Sequence, residues 1–259
     1  DTWQHRAVAV NDENKLLAKV VSGDCPCKQF TLEVVSSGVE RVAELAQRAD
    51  HVIVCAGNQP LINAREEYDR PDIRLPKAQT ALLNAAAAAN ESTLLYLVTG
   101  YPFAINKEKD TAKAVLCSTH LGPCLGHVAA ATVFGENNPA GRTPTTWYRS
   151  VRDLPALDDY DIAKNHVTYL YFKGKPLYAF GYGLSYTTFE YSNLTLDKSK
   201  MKDTDTLTVS VNVRNTGKVK GKEVVQLYVA KPESRTIRPV KELRGFEKIE
   251  LEPGEEKTV

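Results

Sequence analysis

Between Gly38 and Phe134, segments with helical periodicity alternate with short, continuous apolar runs. Three such runs, at 51–57, 93–100 and 112–117, predict strands that are buried on both faces, as strands of a parallel sheet usually are. The alternation predicts an α/β fold whose mostly parallel sheet is covered by helices on both faces. Ligands of such sheets bind at the carboxyl ends of the strands, so we expect functional residues to follow the apolar runs.

Helices are predicted between these runs. Apolar residues at i, i+3, i+6 and i+7 from Val39 indicate an amphipathic helix over Val39–Ala49. The segment Leu75–Ala89 begins with Leu-Pro and continues into an alanine-rich stretch, and proline is well placed in the first turn of a helix. A further helix is expected over about Leu125–Phe134.

The pattern changes after Gly135. A turn-rich stretch leads to a glycine-punctuated aromatic segment, Phe180–Phe189, which we interpret as a hairpin joining two differently patterned halves. Beyond it the apolar period becomes two, at Leu207–Gly217 and Glu223–Val229, with a turn at Asn215–Gly217. Lys241–Val259 reads as another strand pair around E-P-G-E-E.

These strands predict a small antiparallel β-sandwich with too few strands to close it. We place the domain boundary so that residues 1–185 form the α/β domain and residues 186–259 the incomplete β-sandwich. Because the chain begins with Asp1 rather than Met, we expect that it was cut from something longer.

Charge and composition exclude several classes of function. Lys and Arg number 33 and Asp and Glu 32, so nothing indicates a nucleic-acid footprint or an anionic membrane partner. No apolar run reaches the roughly 18 residues of a membrane helix, and the N-terminus lacks the shape of a signal peptide. Five scattered cysteines weakly favour a reducing compartment, whereas two N-glycosylation sequons matter only after secretion. The compartment, cytoplasmic or secreted, stays open.

The strongest candidate for catalytic residues is the segment R-E-E-Y-D-R, at Arg65–Arg70, which contains three carboxylates and two guanidiniums. Glycoside hydrolysis uses two carboxyl groups, one of which protonates the leaving oxygen, and a neighbouring carboxylate is one way to raise the pKa of that acid. Glu66, Glu67 and Asp69 follow the run that ends at Gly57, which is where such an acid is expected. The alternative is a solvated charge run whose acids pair with the two arginines.

The sequence contains no clear motif for metal, nucleotide or serine-nucleophile chemistry. The histidines form no metal-ligand pair at helical spacing, and there is no P-loop, dinucleotide fingerprint or nucleophile elbow. We therefore expect neither a metal nor a cofactor. His120–His127 offers a loop and a helix N-terminus that could receive ligand oxygens, although its two glycines serve equally well for a turn and close helix packing.

Several long motifs are similar to those of a known family. Phe134–Tyr148 resembles its F-G-D-x-N-P-x-G-R-L-P-x-T-W signature, and Lys175–Tyr191 resembles P-L-Y-P-F-G-Y-G-L-S-Y-T-x-F. Val213–Val229 and Pro239–Glu255 resemble its fibronectin-type-III-like tail. Over nearly all of Phe30–Val259 the chain thus resembles the C-terminal portion of family three glycoside hydrolases, the β-glucosidase and β-xylosidase group.

The resemblance implies an α/β sandwich followed by a fibronectin-type-III-like domain. It also implies an N-terminal (β/α)-barrel, not found in this chain, that carries an aspartate nucleophile in a Ser-Asp-Trp context. The acid/base glutamate of the family lies in a loop similar to E-G-x-D-R. Placing Asp69 and Arg70 on its Asp-Arg, as substrate-binding or loop-supporting residues, makes Glu66 the acid/base, while the family's glycine falls on Glu67. Glu67 is the second candidate.

The function implied is retaining hydrolysis of a β-linked oligosaccharide or glycoside, with this chain inactive without its barrel. Whether the sugar is glucose, xylose or arabinose, and whether the protein forms a homo-oligomer, stays open. A rival interpretation is a non-catalytic carbohydrate-binding or scaffolding protein with the same fold. A flavodoxin-like nucleotide binder is disfavoured because no glycine-rich phosphate loop follows a strand.

Overall fold

The computed structural model describes residues 36–58, 70, 72–202 and 204–259, together with the backbone of residues 7–10 and 16–19. It divides into two units, Asp1–Arg41 and Val42–Val259. In the first, strands β1 (Ala7–Val10) and β2 (Leu16–Lys19) pair antiparallel, with Ala7 opposite Lys19. Helix α1 (Gly38–Gln47) begins near the C-terminal end of this unit and confirms the helix predicted over Val39–Ala49. Of the part of the chain described, no helix could cross a membrane.

A three-stranded parallel sheet lies at the centre of the α/β part. It contains β3 (Val52–Gly57), β4 (Thr93–Val98) and β5 (Ala114–Ser118), in the order β3-β4-β5. The middle strand is the most buried, since Leu95 and Leu97 are fully inaccessible to solvent. The parallel sheet predicted from the apolar runs is therefore confirmed, and the carboxyl ends of its strands meet at one edge.

Helices pack against this sheet. Helix α2 (Lys77–Ala89) follows Pro76 and buries Leu83 and Ala86 completely. The short helix α3 (Glu108–Thr111) precedes β5, and a 3₁₀ turn (Gly122–Cys124) leads into α4 (Leu125–Val133). The side chain of Asn90 donates to the carbonyl oxygens of Ala46 and Ala49, at 3.1 and 2.6 Å, and so fixes the C-terminal end of α1 against that of α2.

The edge strands are less buried than we expected. In β3, Val54 and Ala56 pack against the core, whereas Ile53 and Cys55 lie on the opposite face and are exposed. Strand β5 also contains exposed residues, Ala114 and Cys117, beside half-buried ones. The prediction of burial on both faces was wrong for these strands, because a run in which nearly every residue is apolar does not show which face lacks a covering helix.

The segment Phe180–Phe189 does not fold back on itself as a hairpin. Residues 177–182, which include the start of this segment, lie antiparallel to 143–147 instead: the amide of Trp147 donates to the Tyr178 carbonyl at 2.9 Å, and that of Gly181 donates to the Thr143 carbonyl at 2.8 Å. Trp147 and Leu177 join the core of the parallel sheet. A 3₁₀ turn (Val151–Asp153) and helix α5 (Thr168–Tyr171) lie between these two segments in the chain.

The C-terminal strands form two antiparallel sheets. One has the order β10-β7-β6, and the other pairs β8 with β9. Their bounds are β6 (Phe189–Leu196), β7 (Val209–Asn215), β8 (Gly221–Val229), β9 (Glu242–Leu251) and β10 (Glu256–Thr258). Buried Val213, Val225, Ile249 and Leu251 form the core between the sheets. The predicted antiparallel strands are confirmed, but the expectation that Lys241–Val259 forms a strand pair was wrong, since β9 and β10 pair with different partners.

Asn215 connects the two sheets. Its fully buried amide accepts from Thr187 Oγ1 at 2.6 Å and donates to the carbonyl oxygens of Val219 and Leu251, at 2.9 and 3.0 Å. Each amide atom is therefore satisfied, as a buried polar group requires. The Asn215–Gly217 turn joins β7 of one sheet to β8 of the other, rather than two neighbouring strands.

A buried ion pair joins the α/β part to these sheets. Arg142 Nη2 lies 2.5 Å from Glu223 Oε2, with the two side chains 11% and 12% exposed. The hydroxyl of Tyr191 donates to the other carboxylate oxygen at 2.9 Å. Burial, together with this bond to Glu223, raises the pKa of Tyr191 above its ordinary value. The two carboxylate oxygens of Glu223 are thus bound by Arg142, from the α/β part, and by Tyr191, from β6.

Candidate functional site

The residues that the sequence singled out are only partly within the described chain. Glu66, Glu67 and Asp69 lie outside the described residues, so their candidate roles stay predictions. Arg70 is described and lies near the carboxyl end of β4. His120, two residues before the 3₁₀ turn, and His127, in α4, are both exposed. Among the described residues, no group of His, Cys, Asp or Glu could hold a metal ion.

The turn that follows β4, residues 99–103, contacts the residue that follows β3. Asn58, directly after β3, is buried, and its side-chain oxygen accepts from Thr99 Oγ1 at 2.7 Å and from the Gly100 amide at 3.0 Å. The Asn58 amide itself donates to the Val98 carbonyl at 3.1 Å. Asn58 therefore connects the carboxyl ends of two neighbouring strands.

Gly57 makes this close approach possible. Its φ of 136° belongs to a region that only glycine adopts readily, and a Cβ there would overlap the Val98 carbonyl oxygen. The amide group of Gln79, in the first turn of α2, pairs with both backbone groups of Gly57, with each hydrogen bond 3.0 Å long. The end of β3 is thus fixed to β4 on one side and to α2 on the other.

Arg70 lies against the same turn. Its Nη2 donates to the Pro102 carbonyl oxygen at 3.2 Å. The guanidinium carbon is 4.7 Å from the centre of the Phe103 ring and 5.2 Å from that of Tyr101, so the cation contacts two aromatic faces. Burial lowers the pKa of Arg70 from its ordinary value, although Tyr101 and Asp72 oppose the change. The group is nevertheless a cation at neutral pH.

A cavity of about 530 Å³ opens beside Arg70. Its lining includes the aromatic residues Tyr148, Tyr169 and Phe180 and the aliphatic residues Leu154, Ile162 and Leu170. The polar part of the lining consists of Arg70, Thr145, Thr146 and Thr168. Thr168 has a left-handed φ of 62°, and its amide donates to the Tyr148 hydroxyl at 2.7 Å. Burial raises the pKa of Tyr148, so this hydroxyl stays neutral.

Sequence reasoning found Arg70 but missed the residues that hold it. Asn58 and Gln79 carry no motif, and Tyr101 and Phe103 were part of no charged or glycine-rich cluster. The available signal was position alone, because polar residues directly after two parallel strands meet at one edge of a sheet. Applied to Asn58 and Thr99, that rule would have indicated their contact.

Comparisons with known proteins agree with this architecture. Residues 5–186 match the glycosyl hydrolase family 3 C-terminal domain, and residues 223–259 match the fibronectin type III-like domain. A periplasmic β-glucosidase of Salmonella typhimurium is 38% identical over 231 residues, which are 85% of this chain and 30% of that protein. A putative β-xylosidase of Formosa agariphila is 35% identical over 236 residues, which are 88% of this chain and 31% of that protein.

Solved structures show the same relation. The β-glucosidase of Kluyveromyces marxianus in complex with glucose matches with a TM-score of 0.75 at 35% identity, over 85% of this chain and 27% of that one. The chain spans about 30% of the length of the curated relatives named above. The family model covers most of the chain, with Arg70 and its supporting turn inside the matched region. The chain therefore belongs to glycosyl hydrolase family 3, whose C-terminal domain it carries together with a fibronectin type III-like domain.

Proposed function

We propose that this chain is part of a retaining β-glycosidase, an exo-acting β-glucosidase or β-xylosidase, and that it supplies the acid/base glutamate. Glu66 is the acid/base, and Glu67 is the second candidate. The nucleophile is an aspartate of an N-terminal barrel in the longer protein. Relatives named as β-glucosidases and as a putative β-xylosidase support this assignment of the substrate class.

One observation carries the proposal: Asn58 and Arg70, which flank residues 59–69, both bind the turn after β4. Asn58 and Arg70, the described residues on either side of Glu66 and Glu67 in the chain, therefore both lie at the carboxyl edge of the parallel sheet. That edge is where sheets of this kind bind ligands. Covalent geometry also limits the distance between the Cα atoms of Glu66 and Arg70 to roughly 14 Å, because the two residues are four positions apart in the chain.

The reaction proceeds in two displacements. The barrel's aspartate attacks the anomeric carbon while the bond to the leaving oxygen breaks, and Glu66 transfers its proton to that oxygen. The resulting carboxylate of Glu66 then takes a proton from water as the water oxygen attacks the anomeric carbon and releases the aspartate. For this chemistry the two carboxyl groups must lie roughly 5–5.5 Å apart.

The test separates the two glutamates by leaving-group dependence in the full-length enzyme. Glu66→Ala should lower turnover of an alkyl β-glucoside by about 10²–10⁴-fold, since its leaving oxygen needs a proton. Formation of the glycosyl-enzyme from a dinitrophenyl β-glucoside should be largely retained, because that leaving group needs none. Added azide should then accelerate the second step, because azide attacks without a general base.

Glu67→Ala is the matched control. It should retain most of the activity on both substrates, with a modest shift in the acidic limb of the pH profile as a neighbouring charge is removed. Azide rescue in Glu67→Ala but not in Glu66→Ala would transfer the role to Glu67. Rescue in neither variant would mean that the acid lies elsewhere, and a full-length protein inactive on every β-glycoside would support a binding or scaffolding role.

A further inference from the structure

The cavity beside Arg70 combines an apolar wall with two polar atoms that lack partners. Arg70 Nη1 and Thr146 Oγ1 are both buried, and neither has a hydrogen-bond partner among the residues that the structure describes. Both residues line the cavity, and buried polar atoms are seldom left unpaired. We propose that this cavity is a binding site for a small aromatic carboxylate, whose carboxylate accepts from Arg70 and Thr146 and whose ring packs against the apolar wall.

The positive charge of Arg70 favours an anion. Its Nη2 is engaged by a neutral acceptor, the Pro102 carbonyl. Asp72, the acid that influences its pKa, has both carboxylate oxygens bound by Arg74: Oδ1 accepts from the backbone amide at 2.9 Å, and Oδ2 accepts from Nε at 2.6 Å. Nη1 is therefore free to donate to a ligand, and a guanidinium binds a carboxylate more strongly than a neutral acceptor.

The wall of the cavity favours a ring over a sugar. Nine of the thirteen lining residues are aliphatic, aromatic or proline. The hydroxyls of Tyr148 and Tyr169 already accept from the amides of Thr168 and Leu243, at 2.7 and 3.4 Å. A hexose would bury four or more hydroxyl groups with few partners, and each unpaired one costs free energy. A single aromatic ring needs only the contacts that Phe180 and its neighbours offer.

The size of the cavity agrees with such a ligand. Its volume of about 530 Å³ lies within the range of roughly 300–1,000 Å³ that small-molecule sites occupy. A monocarboxylate requires only a few donors, and Arg70 Nη1 and Thr146 Oγ1 can supply two. Inorganic phosphate, with more oxygens to satisfy and no apolar surface, would leave the wall uncovered.

The probe is 4-fluorocinnamate, followed by ¹⁹F NMR as it is titrated into the 259-residue chain. We expect saturable binding that is at least tenfold tighter than that of the neutral 4-fluorocinnamamide. Arg70→Met should abolish the preference for the carboxylate, whereas the matched control Arg152→Met should preserve it, because Arg152 is exposed and is not among the residues that line the cavity. Circular dichroism verifies that each variant is folded.

A second variant covers the case in which Arg70→Met does not fold. Ile162 lies on the cavity wall and is 42% exposed, so Ile162→Trp can fill the cavity without removing a polar contact. It should weaken 4-fluorocinnamate at least tenfold. Equal binding of the acid and the amide, unchanged binding in both Arg70→Met and Ile162→Trp, or displacement of the probe by glucose would each overturn the proposal.

Discussion

Gly57 is the residue whose replacement should disturb the candidate site most directly. Its φ of 136° is unfavourable for any side chain, and a Cβ would overlap the Val98 carbonyl oxygen. Gly57→Ala should therefore lower the free energy of unfolding by about 3 kcal/mol, the upper part of the range for strained backbone. Urea unfolding followed by circular dichroism measures this change.

The matched control for Gly57→Ala lies in the turn that Asn58 binds. Gly100 has no positive φ, and a Cβ added there would meet nothing within 4 Å. Gly100→Ala also retains the amide that donates to Asn58. It should change the free energy of unfolding by less than about 1 kcal/mol. Similar losses in the two variants would contradict the role assigned to the close approach of Gly57 and β4.

At this scale the sequence identified a motif but not its surroundings. Arg70 was part of a charged cluster, so the sequence marked it as a candidate. Its contacts with Tyr101 and Phe103 come from a turn about thirty residues away, and no local pattern encodes which aromatic rings will meet a cation. Asn58 was missed for the same reason, because its partners Thr99 and Gly100 become neighbours only when β3 and β4 pair.

At the scale of elements, the buried ion pair between Arg142 and Glu223 should show a large coupling free energy in unfolding experiments. Glu223→Gln leaves the Arg142 guanidinium buried without its counter-charge, and breaking a buried pair costs about 3–5 kcal/mol. Replacing both residues by methionine should cost much less than that, since no buried charge then remains. A double-mutant cycle, measured by urea unfolding, gives the coupling energy directly.

An exposed pair on β9 provides the comparison. Arg244 Nη2 lies 2.7 Å from Glu242, but the two side chains are 63% and 38% exposed. Glu242→Gln should therefore change the free energy of unfolding by less than about 1 kcal/mol. If Glu223→Gln cost no more than this, the Arg142–Glu223 contact would contribute no more than a surface pair.

The strands themselves could be predicted, but their partners could not. Alternation with a period of two located β7 and β8 within a few residues of their observed bounds. The same pattern does not predict which strands pair, because an alternating strand can pair with any neighbour whose apolar residues lie on the same face of the sheet. The turn at E-P-G-E-E was read as a hairpin turn, yet it leads from one sheet to the other.

For the molecule as a whole, the proposal predicts that this chain alone has no glycosidase activity. Under that proposal the chain supplies only the acid/base glutamate, and retaining hydrolysis also needs the nucleophile. Release of nitrophenol from 4-nitrophenyl β-D-glucopyranoside should equal that in buffer. Turnover by the chain alone, and its loss on Glu66→Ala, would instead require a nucleophile within these 259 residues.

The order of domains is the feature that sequence reasoning predicted best. Long motifs, such as the one at Phe134–Tyr148, indicated an α/β domain followed by a fibronectin-type-III-like domain, and the family comparisons confirm both. The boundary between residues 185 and 186 stays a prediction. It is hard to locate from sequence because Asn138 accepts from Ser185 and Tyr186 while donating to the Lys220 carbonyl, so contacts cross it freely.

The strand order β10-β7-β6 has a consequence for how the chain folds as it is synthesised. Strand β7 can pair with β6 early, but its other edge pairs with Glu256–Thr258, about forty residues later. The side-chain amide of Asn215 likewise gains one of its acceptors, the Leu251 carbonyl oxygen, only after residue 251 has been synthesised. On the ribosome, which adds about 5–20 residues per second, this edge stays open for seconds and could pair with another nascent chain. The slow, long-range closure of β10 onto β7 is thus the step at which this domain is most exposed to misassembly.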